Sequence, residues 1–388
     1  MPKLVFNNTS SILYCYSHDG RFVDTEEIGK RSCKPNFDDL ERHLSNGLFT
    51  LRRPGSYQPI SGLCALPPRT SWWVSEDRYE FAADLRSSRA KTLTVDAAFE
   101  YAKRLLVKAQ QNKRLGVELS GGLDSSIVIE FLLRQSVPVS LIAFTSGRYE
   151  FRTERAIQSH YQQHCASVHL IPYEECPAFS ELEQIPPHPF PAQESLFFSR
   201  HRAAAKACGL LGVDILLSGE AGDQLLGFEP NLFYTNGQEA PQGCAYWNLA
   251  ELWSDQYVHR PRGSRYVSAL ALGSLPAILL QARAGAASDP MKMWARRQLQ
   301  NYLPPMLTNF AYKAFHDGWV IDGLMNACPA IDRMSRCAHA ITRHPELDPL
   351  LMTDSARNYR LFDQGKRSHF LAKLAFVTWI FSNQQDGR

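Results

Sequence analysis

The sequence predicts an α/β protein: a parallel sheet covered by helices, with a small β-rich domain before it and a helical region after it. Three observations predict this. Short all-apolar runs alternate with helix-length segments in the middle of the chain. The first 90 or so residues alternate apolar and polar side chains between turn formers, and the chain beyond about residue 245 is poor in glycine and rich in Leu and Trp.

Each element follows in order. "KLVFNN", "SILYCYS" and "TSWWVSEDRYEFAAD" are broken by Gly, Pro, Asn and Asp, the pattern of short strands. From Thr94 or a neighbour, "VDAAFEYAKRLLVKAQQNKR" reads as a long helix, with Asp96 early and Lys and Arg late, the charge order a helix dipole favours. Strand and helix then alternate: "LGVEL", a helix over 124–135, "PVSLIAF", a helix over 153–165, and "SVHLI". After the proline-rich "IPPHPFPAQ", a helix over about 194–208 leads into the strand "VDILLS". The run "YVSALALGSLPAILLQ" is about 16 residues long and carries Pro276. It falls short of the roughly 20 residues that span a membrane and is expected to be a buried helix pair. The division expected is 1–92 for the small β-rich domain and 93–388 for the rest.

Composition narrows the function. A chain of 388 residues with 44% hydrophobic and 21% charged side chains has ample material for a core. A net charge of +3 creates no broad positive field, so no nucleic-acid partner is expected. Nine cysteines without a Cys-x-x-Cys pair fit neither a disulfide framework nor a zinc ribbon, and point to a reducing, cytoplasmic setting. The N-terminus "MPKLVFNNTSSILY" lacks the apolar core of a signal peptide.

The chemistry is concentrated in two turns. In "VELSGGLDSS", Ser120, Gly121, Gly122, Leu123, Asp124 and Ser125 leave a strand and open a helix, where free backbone N–H groups and the helix dipole favour a phosphate. Asp124 offers a hard oxygen for magnesium. For one such stretch taken alone, an ordinary strand-to-helix turn with Asp124 near the N-cap is the better account. It is neither a Walker A loop nor a dinucleotide fingerprint, since Gly-Lys-Ser/Thr and the required glycine spacing are both missing. A second turn, "LLSGEAGDQLLG", repeats the arrangement at Ser218, Gly219, Glu220 and Asp223. Two turns at adjacent strand ends can face one triphosphate, with Asp124 and Asp223 sharing a magnesium ion and Glu220 near the reacting centre.

Together these residues resemble a known family. "LSGGLDSS" is similar to the pyrophosphate loop of the ATP-pyrophosphatase superfamily, and its pairing with "LSGEAGDQLLG" resembles the synthetase domain of the asparagine synthetase family. "LPPMLTNFAYKAFHDG" is similar to that family's C-terminal segment with a catalytic lysine, here Lys313. The resemblance spans roughly residues 94–388 and implies a sheet of the adenine-nucleotide α-hydrolase type, with ATP and Mg2+ as requirements. It also implies adenylation of a carboxylate, release of pyrophosphate, amine attack and loss of AMP. By the same resemblance the nucleotide contacts are Leu119, Ser120, Gly121, Gly122, Leu123, Asp124, Ser125, Ser146, Ser218 and Gly219. Asp124 and Asp223 take the metal, and Glu220 and Lys313 are the catalytic groups.

Departures from the pattern refine the expectation. Glutamine-using asparagine synthetases begin Met-Cys, whereas this chain begins "MPKL", and about 90 residues are too few for a complete glutaminase. The first 92 residues are therefore expected to be a truncated glutaminase-like remnant that does not hydrolyse glutamine. "AGDQ" replaces Gly-Ser-Asp-Glu, and Glu220 stands where β-lactam synthetases have tyrosine. "GDQLLGFEPNLF" is similar to the lasso-peptide macrolactam synthetases, which implies ring closure in a ribosomally made peptide and a leader-peptide-binding or peptidase partner protein. The alternatives are a small-molecule amide or β-lactam synthetase, an ammonia-dependent asparagine synthetase and, from another class, a tRNA-modifying enzyme with a pyrophosphate loop. Weaker signals are His160 and His164, four apart on one helix without a third metal ligand, Glu154 at a helix start, and the basic "HRPRGSR".

Overall fold

The computed structural model describes residues 3–7, 13–16, 21–23, 63–66, 70–74, 79–84, 100, 104, 113–164, 167–187, 191, 193–220, 222, 225–226, 265–271, 279, 292–309 and 317–385. Near the N-terminus, period-two segments form two antiparallel sheets. Strands β1 (Lys3–Asn7), β5 (Thr70–Val74) and β6 (Tyr79–Asp84) pair in the order β1-β5-β6. Strands β2 (Leu13–Tyr16), β3 (Phe22–Val23) and β4 (Leu63–Leu66) pair in the order β3-β2-β4. Of the helix expected from Thr94, the described residues are Glu100 and Arg104, which are helical, and Lys113 and Arg114, which are not and lead into β7.

The central sheet is parallel throughout. It contains β7 (Leu115–Glu118), β8 (Val139–Thr145), β9 (Val168–Pro172), β10 (Ile215–Ser218) and β11 (Arg265–Ser268) in the order β11-β10-β7-β8-β9. Helices α1 (Leu123–Arg134), α2 (Arg152–His164) and α3 (Phe198–Leu211) connect the strands. The all-apolar composition of the strands reflects cover on both faces: Val117, Leu141, Ile142 and Ala143 are fully buried. Helix α3 ends at Gly212, whose φ of 64° places it in the left-handed region, and Val213 N–H then bonds Cys208 O at 2.9 Å. The starts of β7 and β10 are stapled where Asp214 Oδ2 accepts the Arg114 N–H at 2.8 Å.

The chain runs from β7 outward to β8 and β9, then crosses back so that β10 lies on the other side of β7. The strand order reverses there. In parallel sheets this opens a crevice at the carboxyl ends of the two strands on either side of the reversal.

The C-terminal region is helical, with α4 (Met293–Gln298), α5 (Pro305–Asn309), α6 (Asp317–Thr342), α7 (Pro349–Asn358) and α8 (Gln364–Gln385). Asp348 caps α7 by accepting the N–H groups of Leu350 and Leu351 at 2.9 and 3.2 Å, with Pro349 at the first helical position. Helix α8 buries Leu374, Ala375, Phe376 and Val377 and packs on α6 and on the 3-10 turn Gln193–Phe197. The amino end of α6 meets the loop after β8, where Arg148 pairs with Asp322 and a Cβ on Gly318 would lie 2.7 Å from Glu150 Oε1.

Two expectations are corrected. "YVSALALGSLPAILLQ" does not begin as a buried helix: Tyr266 and Val267 belong to β11, followed by a 3-10 turn over Ala269–Ala271. The edge of β10 supplies a ladder of unpaired backbone groups, and β-branched and aromatic side chains suit that place, so tertiary pairing overrides the apolar helical pattern. The rest of that run lies largely outside the described residues. The helix expected from residue 194 starts instead with the 3-10 turn Gln193–Phe197, and α-helix begins at Phe198. Among the described residues Cys176, Cys208, Cys328 and Cys337 form no disulfide, and no helix is long and apolar enough to cross a membrane.

Candidate active site

The two glycine turns sit side by side at the crevice. Leu119 extends β7 by one residue, its N–H bonding Ile142 O at 2.8 Å, and is fully buried. Ser120 and Gly122 are exposed, whereas Gly121 is buried with φ of 78°. Only glycine fits at 121, because a Cβ there would lie 2.7 Å from the Cα of Glu154. The serines knit the turn together: Ser120 Oγ lies 3.0 Å from Ser125 Oγ and accepts the Gly122 N–H at 3.3 Å, while Ser126 Oγ donates to Gly122 O at 2.8 Å. Leu123 opens α1, whose amino end carries no side-chain cap, so its positive dipole end faces the turn.

The second turn presses against the first. Ser218 ends β10 and is buried. A Cβ on Gly219 would come within 2.3 Å of Ser125 N, and one on Gly222 within 2.0 Å of Asp124 Cγ. Glycine is therefore required where the turns cross, and the backbone of one forms the wall of the other.

Asp124 pairs with a residue that sequence reasoning missed. Lys292, buried just before α4, donates from Nζ to Asp124 Oδ2. Lys292 adopts the left-handed conformation, φ 55°, unusual for a lysine. Nothing in the local sequence "DPMKMW" marks this lysine. Arg296, one turn further on, is buried and donates to Leu307 O, which fixes α4 against α5.

Ser146 stands just past β8 and is buried, its hydroxyl donating to Glu174 Oε1 at 2.7 Å. That hydrogen bond holds the Glu174 carboxyl below the ordinary carboxylate range. Arg155 on α2 donates to the carbonyls of Ser146 and Arg148, so the loop after β8 is clamped from below. Glu154 lies buried beneath Gly121, and burial raises its pKa.

Glu220 follows Ser218 by two residues. Its Oε2 is sealed from solvent, and its Oε1 accepts the phenolic hydrogen of Tyr266 from β11 at 2.8 Å. Burial, reinforced by the charges of Glu194 and Glu118, pushes the Glu220 carboxyl up to about 8. A carboxyl poised there can exchange a proton near neutral pH, as a general base or acid must.

Asp223 and Lys313 lie outside the described residues. The structure thus brings together Leu119 to Ser125 and Ser218 to Glu220, adds Lys292, and places Ser146 one strand away. His160 and His164 stack with ring centroids 4.3 Å apart, and His164 Nδ1 contacts His160 O at 2.7 Å. Among the described residues no group of three or more His, Cys, Asp or Glu could hold a metal. The donors that are described, namely serine hydroxyls, an uncapped helix terminus, glycines in close contact and a buried ammonium, fit a polyphosphate. Toward magnesium they supply one carboxylate, Asp124.

Residues 102–353 match the family model for asparagine synthase, well over half of the chain. A comparison with curated proteins finds no match.

Two outcomes follow from this geometry. Lys292→Met removes the ammonium beside the phosphate turn and should weaken ATP binding by about tenfold to a hundredfold, the range for one charge-assisted contact, as read by calorimetric titration. Unchanged affinity would remove Lys292 from the site. The second outcome concerns pH. Glu220 binds its proton more tightly folded than unfolded, so between the ordinary carboxylate range and about 8 the native state holds a proton that the unfolded chain releases. Stability therefore falls as pH rises through that window and levels off above it. Glu220→Gln should flatten this slope in urea denaturation across the same range; an unchanged slope would contradict the assignment.

Proposed function

The chain belongs to the asparagine synthase family, whose members are ATP-dependent ligases that form amide bonds, and from that premise we propose that it adenylates a substrate carboxylate for attack by an amine. A carboxylate oxygen attacks the α-phosphorus of ATP and the bond to pyrophosphate breaks. The amine then adds to the acyl carbon of the acyl-adenylate, loses a proton, and AMP leaves. The observation that carries this reading is the contact between the two turns at the strand-order reversal, with Lys292 held beside Asp124.

In this reading the exposed Ser120 and Gly122 and the amino end of α1 bind the pyrophosphate half of ATP, and Lys292 turns from Asp124 toward phosphate oxygens. Asp124 and Asp223 would hold magnesium, which when bound neutralises phosphate charge. Glu220 takes the proton from the attacking amine. Lys313, carried over from the resemblance of "LPPMLTNFAYKAFHDG", stabilises charge on the α-phosphate and the tetrahedral adduct. It stands four positions before α6, the helix whose amino end meets the loop after β8.

Within this chemistry the product we propose is a macrolactam in a ribosomally made peptide. The stretch "GDQLLGFEPNLF" after Glu220 supports it, being similar to the lasso-type enzymes and different from the Gly-Ser-Asp-Glu of asparagine synthetases. Residues 1–92 then form the separate β-rich domain, and a leader-binding or peptidase partner delivers the peptide in the cytoplasm.

Precursor peptides encoded beside the gene, incubated with the protein, ATP and magnesium, should lose one water per molecule by mass spectrometry while AMP and pyrophosphate accumulate. Formation of ADP and phosphate would overturn the adenylation. Conversion of aspartate and ammonia to asparagine, with no change in any peptide, would overturn the macrolactam product.

A further inference from the structure

A polar cluster lies under the active site on one face of the central sheet. The β7–β10 register pairs Val117 with Leu217, which places Glu118 level with Ser218 on the same face, and β10–β11 pairing sets Tyr266 beside Leu216 on that face too. Glu118 is almost wholly buried and forms an ion pair with Arg200 of α3, whose guanidinium also lies over the Phe144 ring, 5.1 Å from its centroid. Burial opposes the charge on Arg200, yet Glu118 drives its pKa well up, so Arg200 is a fixed cation. The Tyr266 hydroxyl joins two groups: it donates to Glu220 Oε1 and is hydrogen-bonded by Ser218, the last residue of β10. Burial, then the charge of Glu220, drives its own pKa well up, so it stays a neutral donor. His201 is neutral as well, pushed down to about 3 by burial and by Arg200, and its Nε2 lies 3.2 Å from Glu194 O.

Tyr266 from β11 hydrogen-bonds Glu220, and the charges of Glu194 from the turn Gln193–Phe197, Glu118 from β7 and Arg200 from α3 act on it. One guanidinium stands against three carboxyls. A neutral cluster needs more positive charge than Arg200 supplies, and a proton on a carboxyl provides part of it.

We propose that Tyr266 and the buried Glu118–Arg200 pair are positioning residues for Glu220: the tyrosine aims its carboxyl from β11, and the ion pair fixes how much negative charge stands behind it. This rests on the reading of Glu220 as the base for the amine. Neither position needs to touch the substrate. Tyr266 stabilises the ionised carboxylate by donating a hydrogen bond, whereas Glu118 and Glu194 oppose ionisation, so the two kinds of residue pull the proton equilibrium of Glu220 in opposite directions.

The test uses the full, ligand-free chain and needs no substrate. Infrared difference spectra across a pH titration follow the carbonyl stretch of a protonated carboxyl, and the band absent from Glu220→Gln is that of Glu220. Tyr266→Phe should raise the midpoint of this band by about one to two pH units, the worth of one hydrogen bond to a charged group. Glu118→Gln should lower it. Glu194→Gln, at a partly exposed side chain that leaves the Arg200 pair in place, should lower it as well and supplies the charge arm if Glu118→Gln fails to fold. A midpoint that stays fixed, or that moves the same way in the tyrosine and glutamate variants, overturns the proposal. Full ligase turnover by Glu220→Gln, with the opposed shifts intact, would overturn the base assignment alone and leave the positioning standing.

Discussion

The arrangement depends on one close contact, the crossing of two glycine turns at the carboxyl ends of β7 and β10. Gly219 lies so near the backbone of Ser125, and Gly222 so near the side chain of Asp124, that neither tolerates a Cβ. Two loops that meet this way cannot move independently, so a ligand held by one is presented to the other. The contact exists because the strand order reverses between β7 and β10, which makes the end of the fourth strand of the alternation the neighbour of the first. The sheet beneath is rigid: its central strands are fully buried, and hydrogen bonds between Arg114 and Asp214 fix their relative height.

Charge is arranged around that contact in two layers. At the level of the turns, Asp124 meets Lys292, a compact ammonium that a polyphosphate can compete for. One layer down, Glu118, Arg200, Tyr266 and Glu220 share one face of the sheet, where low solvent access makes each charge matter to the next. The upper layer is suited to binding and the lower one to placing a proton. The C-terminal helices reach the same end of the sheet through Arg148 and Asp322, which joins the family's helical region to the strand-end loops.

Much of this was legible in the residues. All-apolar runs such as "LIAF" and "ILL" marked the strands because burial on both faces leaves no polar alternation, and Ser-Gly-Gly at a strand end marked the turn because so little else fits beside Glu154. The strand at Tyr266 was hidden because its apolar composition suits a buried helix equally, and only the free edge of β10 decides between them. Lys292 was hidden for a different reason: its role depends on a left-handed backbone angle and on a partner 168 residues away, neither of which leaves a local pattern. Glu220 was read as a reacting group, but its partner Tyr266 comes from the strand that the sequence disguised.

The claim that one nucleotide lies between both turns is tested most directly at Gly219. A methyl group there leaves Ser120, Asp124 and Lys292 chemically unchanged but must push the second turn off the first, since its Cβ would fall 2.3 Å from Ser125 N. Binding of a non-hydrolysable ATP analogue, titrated calorimetrically against Gly219→Ala with its fold verified by circular dichroism, should fall at least about tenfold relative to the parent protein. A folded Gly219→Ala protein that binds the analogue as tightly as the parent would contradict the account, because the nucleotide would then not depend on the contact between the turns.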